Sequence, residues 1–101
     1  MASNTLVTIT YTVADAKRNE LEGILRGLVE RINAAQQTVR FSVYRDEDNP
    51  SSFVELYECD STSAYDALED SLDEETSRQI RRIATDFAQA RQTFTTLQKV
   101  V

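Results

Sequence analysis

The sequence contains no histidine and no tryptophan. The first absence removes the commonest metal ligand and the commonest general base. It excludes a Ser-His-Asp triad, a Cys-His pair and a His-ligated haem within one chain. A single cysteine, Cys59, can form no internal disulfide. Its thiol is a poor nucleophile, because Glu58 and Asp60 beside it should raise its pKa. No apolar run approaches the roughly 20 residues of a membrane span. The N-terminal MASNTLVTITYT has neither the basic nor the apolar region of a signal peptide, so a cytoplasmic location is the default expectation. Basic residues are scarce as well. Eleven stand against seventeen acidic ones, and the net charge of -6 disfavours nucleic acid and anionic membrane surfaces as partners.

What is present suits one folded domain over residues 1–101, with a modest core. Leu6 to Val13 alternates Val7, Ile9, Tyr11 and Val13 with threonines, which predicts a strand. Asp15 offers an N-cap. Leu21, Ile24, Leu25, Leu28, Val29 and Ile32 then follow at helical spacing, predicting a helix over Ala16 to Asn33. Gly23 and Gly27 fall opposite that stripe, either as tolerated substitutions or as a place of close packing. Thr38 to Arg45 and Phe53 to Cys59 read as a hairpin around the turn Asp46 to Ser52. A short helix follows, with a break near Ser71, where Ser71 and Glu74 have capping-box spacing. A longer helix carries Ile80, Ile83, Ala84, Phe87 and Ala88 on one stripe, and Thr93 to Val101 is the last strand. The acidic run Asp66 to Glu75 reads as a solvated face rather than a divalent-ion site.

The order β-α-β-β-α-β predicts an α+β, ferredoxin-like split βαβ fold: an antiparallel sheet with helices on one face. The most apolar strand faces should meet the helices: Val7, Ile9 and Tyr11; Val39, Phe41 and Val43; Val54 and Leu56. Alternation then sends Leu6, Thr8, Thr10, Arg40, Ser42, Tyr44, Phe53, Glu55, Tyr57 and Cys59 to the other face, and Glu58 to the helix side. That second face is too apolar for open water and too polar for a dry core. A second copy of the chain is its natural lid, making a homodimer with a pocket between two sheets. With the turn centred between Asp48 and Asn49, Ser42 faces Glu55 and Arg40 faces Tyr57, so Arg40, Tyr44, Glu55 and Tyr57 converge. An Arg–Glu pair on a strand is equally what a solvated salt bridge looks like.

The stretch VYRDEDNPSSFVELYECDSTSAYDALEDS resembles the hairpin and following helix of antibiotic-biosynthesis-monooxygenase-type domains. The matching features are Tyr44-Arg45-Asp46, Asn49-Pro50, the aromatic strand Phe53 to Glu58 and the Ser-capped segment Ser61 to Ala67. The resemblance implies a dimeric α/β barrel. It also implies the activities found in that family: cofactor-independent oxygenation of quinols or polycyclic phenols, haem degradation and isomerisation. The chain departs from the family at Gln36-Gln37-Thr38, where glycine is frequent, and at Asp66, Leu68 and Glu69, where many members carry histidine. Haem degradation relies on His and Trp in the members that perform it, and this chain has neither. The expectation is a cofactor-independent monooxygenase-type protein that takes a small aromatic phenol or quinol and needs neither cofactor nor metal. Glu55 would be the base, its pKa raised by burial, and Arg40 the oxyanion partner. Tyr44, Tyr57, Ser42, Thr8, Thr10 and Phe53 would line the pocket. The alternative is a non-catalytic binding or dimerisation module of the same fold.

Overall fold

The computed structural model describes residues 4–101. Strands β1 (Thr5–Thr12), β2 (Val39–Arg45), β3 (Ser52–Cys59) and β4 (Thr93–Gln98) form one antiparallel sheet in the order β2-β3-β1-β4. Helices α1 (Arg18–Ala35), α2 (Thr62–Ala67) and α3 (Glu74–Arg82) cover one face. This is the ferredoxin-like arrangement, with β1 and β3 at its centre.

The first helix forms because Leu21, Leu25, Leu28 and Ile32 recur every three or four residues, and all four are buried. Asp15 does not cap it. A 3-10 turn, Asp15–Lys17, leads in, and the Asp15 carboxylate instead accepts a hydrogen bond from the Ser51 hydroxyl. At the far end two amide side chains do the work of a missing strand. Asn33 Nδ2 donates to the Phe41 carbonyl (2.9 Å) and its Oδ1 accepts from the Phe41 amide (2.8 Å). Gln36 treats Val39 the same way, at 2.7 Å for both bonds. These bonds close part of the exposed edge of β2. A Cβ at Gly23 or Gly27 would meet nothing within 4 Å, so neither glycine marks a close approach.

Ser61 caps α2 by accepting from the Ala64 amide (3.3 Å). The expected break follows as a 3-10 turn, Leu68–Ser71, but Asp73 rather than Ser71 caps α3, accepting from the Thr76 amide at 2.7 Å. A π-helical turn, Ile83–Phe87, ends α3 and buries Ile83 and Phe87. Together with Val7, Ile9, Tyr11, Val39 and Phe41, these residues form the core between sheet and helices.

The hairpin departs from the expected register by one residue. Arg40 pairs with Glu58 and Ser42 with Leu56, so the turn is centred on Asn49 rather than between Asp48 and Asn49. Side chains set this odd-numbered turn. Asp46 Oδ1 accepts from the amides of Asp48 (2.8 Å) and Asn49 (3.3 Å), and Asn49 Oδ1 accepts from the Ser51 amide (3.2 Å). A one-residue slip moves a whole strand's side chains to the opposite face. Phe53, Glu55, Tyr57 and Cys59 therefore lie under the helices, and Val54, Leu56 and Glu58 lie on the open face, the reverse of the sequence expectation. Burying Phe53 and Tyr57 stabilises by about 1.5–3 kcal/mol each. That gain stands against the cost of burying the carboxyl between them.

Candidate functional site

Glu55 sits in the middle of a central strand, 4% exposed, with Ile9 and Val43 as its cross-strand partners. Three of the chain's four tyrosines surround it. Tyr11 is its diagonal neighbour on β1, and the Tyr11 hydroxyl donates to Glu55 Oε2 at 2.5 Å. Tyr57, two residues along β3, and Tyr65 of α2 lie close enough to feel its charge. The rings hold one another in place. Tyr11 stacks on Phe53 at 6.2 Å, Phe41 lies against Tyr57 at 4.6 Å, and Tyr57 meets Tyr65 edge-on at 5.1 Å.

Burial disfavours the ionised carboxylate and pushes the Glu55 pKa up to about 7, although the Tyr11 and Tyr57 hydroxyls pull in the opposite direction. Burial likewise raises the phenols of Tyr11, Tyr57 and Tyr65, and the Glu55 charge adds to each shift. The cluster thus contains one group that changes charge near neutral pH and three hydroxyls that stay protonated. Burial also raises the Cys59 thiol, which is fully enclosed and directed at the Thr5 carbonyl (3.8 Å). It is inert as a nucleophile.

A cleft of about 240 Å³ opens between the sheet and the segment α2–α3. Tyr57 and Tyr65 form its inner wall, Leu68, Leu72 and Ile80 give it an apolar lining, and Ser77 and Arg81 stand on α3. Glu55 does not line the cleft. Tyr57 lines the cleft and lies close enough to Glu55 to feel its charge.

The expected site residues divide between the two faces. Glu55, Tyr57 and Phe53 come together on the helix side. Arg40, Ser42, Tyr44, Thr8 and Thr10 lie on the open face, with Arg40 opposite Glu58 and Tyr44 60% exposed. The expected convergence of Arg40 and Tyr44 on Glu55, in a pocket between two sheets, is therefore corrected: the sheet itself separates them. Sequence reasoning missed Tyr11 and Tyr65. Tyr11 had a usable signal, since a tyrosine on a core-facing strand position needs a partner for its hydroxyl. Tyr65 had none before the packing of α2 was known. Among the described residues no group of His, Cys, Asp and Glu could hold a metal ion, and no helix is long and apolar enough to cross a membrane.

No family model matches the sequence, and no curated protein matches it. Solved structures match over nearly the whole chain. A crystal structure of an antibiotic biosynthesis monooxygenase superposes with a TM-score of 0.80 at 18% identity, covering 96% of this chain and 99% of that one. A conserved protein from Methanosarcina mazei gives 0.82 at 14% identity, with 97% and 94% covered. A Pseudomonas aeruginosa protein gives 0.78 at 19% identity, with 100% and 98% covered. The chain has the fold of the antibiotic-biosynthesis-monooxygenase structures over nearly its whole length, as the resemblance of Val43 to Ser71 implied.

Proposed function

We propose that the chain binds a small aromatic phenol or quinol in the cleft against Tyr57 and Tyr65 and oxidises it as a cofactor-independent monooxygenase. One observation carries this reading: a carboxyl group buried on a central strand, two residues from the Tyr57 that lines the cleft, with burial raising its pKa to about 7. A base poised near the working pH is what proton removal from a phenol requires. A substrate hydroxyl seated on Tyr57 would pass its proton to the Tyr57 oxygen while the Tyr57 proton moves to Glu55. Tyrosine ends the step as a neutral phenol, as its raised pKa demands. The substrate anion then reacts with dioxygen. The substrate loses two hydrogens and gains one oxygen atom, and the second oxygen atom leaves as water. All the electrons come from the substrate, so the step needs neither flavin nor metal.

A homodimer closed by the open sheet faces is part of the proposal. Leu6, Val54, Leu56 and Leu97 give that face an apolar patch that no element among the described residues covers. The second reading, a binding module without catalysis, is favoured by the Tyr11 hydrogen bond and by the position of Glu55 behind the cleft wall. An oxygen-electrode screen with hydroquinones, anthrones and catechols, without flavin or metal, separates the two. The monooxygenase reading expects uptake that Glu55→Gln slows at least about tenfold, or about 1.4 kcal/mol of barrier. Aromatic ligands that bind without any uptake would establish the binding module instead.

A further inference from the structure

We infer that Tyr11 is a positioning residue for the Glu55 carboxyl group: its hydroxyl fixes Oε2 from the neighbouring strand and supports the ionised form inside the core. The inference deepens the reading of Glu55 as proton acceptor and rests on it. Ile9 is the direct cross-strand partner of Glu55, which makes Tyr11 the diagonal neighbour. Diagonal positions are about 7–8 Å apart, a gap that suits an aromatic side chain. Both residues are 4% exposed, and their polar atoms meet at 2.5 Å. The Tyr11 ring is in turn held by its stack on Phe53, at an interplanar angle of 16°.

The elements around Glu55 leave little else to do this work. Tyr57 on its own strand and Tyr65 on α2 are the other titratable groups coupled to it. The first helix presents Leu21, Leu25 and Leu28 to the core. Among the described residues no lysine or arginine forms an ion pair with Glu55. A carboxylate buried without a cation depends on hydroxyl donors for its charge. Tyr57 also faces the cleft and must turn over its proton during the proposed reaction. Tyr11 is walled into the core, so its hydroxyl is the donor that stays in place.

The test uses Tyr11→Phe, which keeps the ring and removes the hydroxyl. The intact chain, labelled with ¹³C at the glutamate side-chain carboxyl, is titrated by NMR, and the Glu55 signal is assigned by its loss in Glu55→Gln. The Glu55 midpoint should rise by about 1 pH unit or more in Tyr11→Phe, because a hydrogen bond to a charged group is worth about that much. Where a substrate gives oxygen uptake, the pH profile should move the same way. An unchanged or lowered midpoint overturns the inference, even if turnover falls. A raised midpoint with no uptake from any substrate sustains the role of Tyr11 and sinks the monooxygenase reading. Should Tyr11→Phe fail to fold, Tyr11→Phe combined with Glu55→Gln removes both donor and charge. Recovery of folding in the double variant supports the inference. Failure there as well would make the hydroxyl a general folding requirement and overturn it.

Discussion

Replacing Glu55 with glutamine should make the folded chain more stable at neutral pH, by an amount that grows with pH in a defined way. The folded carboxyl titrates near 7 against an ordinary value of 4.5. Between those values the native chain holds a proton that the unfolded chain has released. The contribution of this group to stability is therefore fully present below about pH 4.5, declines as pH rises, and is gone once pH passes about 7. A gap of about 2.5 pH units at about 1.36 kcal/mol each corresponds to about 3 kcal/mol. Glutamine keeps an acceptor for the Tyr11 hydroxyl and carries no charge to desolvate. Urea unfolding of both proteins, followed by far-ultraviolet circular dichroism at pH 4.5, 6 and 7.5, reads the difference directly. Subtracting the two pH curves cancels every carboxylate they share. The stability of Glu55→Gln relative to the parent chain should rise by about 3 kcal/mol across this range and level off above it. Parallel curves would refute the reasoning, because they would mean that Glu55 ionises in the folded chain as it does in the unfolded one.

Phe41→Ala and Phe87→Ala should each cost about 3–5 kcal/mol in denaturant unfolding, since both rings are buried in the core. Asn33→Ala should cost about 1–3 kcal/mol, the penalty for leaving the Phe41 backbone groups without their partner. Leu56→Glu places a charge on the open face, so sedimentation should show the proposed dimer for the parent chain and a folded monomer for the variant. A Leu56→Glu protein that remains dimeric would move the interface elsewhere.

The order of elements and most of the core were legible because they rest on periodicity. The α1 stripe and the alternation of β1 are local patterns, and Leu21, Leu25, Leu28, Ile32, Val7, Ile9 and Tyr11 are all buried as those patterns require. The face of β3 was not legible in the same way. Both of its faces carry apolar residues, Phe53, Tyr57 and Cys59 on one and Val54 and Leu56 on the other, so alternation alone could not choose between them. The choice is made in the turn, where the Asp46 and Asn49 side chains hold an odd number of residues. Glu55 was legible as a carboxyl in an aromatic setting. Its surroundings were assigned to the wrong side of the sheet, and Arg40 was grouped with it for that reason alone. The true partners, Tyr11 and Tyr65, come from another strand and from a helix. Only tertiary packing brings them to it.

The most direct measurement is the pH dependence of oxygen uptake for a substrate found in the screen, comparing the parent chain with Glu55→Gln. The rate should rise with pH to a plateau, with a midpoint near 7 set by the Glu55 carboxyl, and Glu55→Gln should lose at least about tenfold in rate together with that midpoint. A Glu55→Gln protein that keeps its rate and the same midpoint would contradict it.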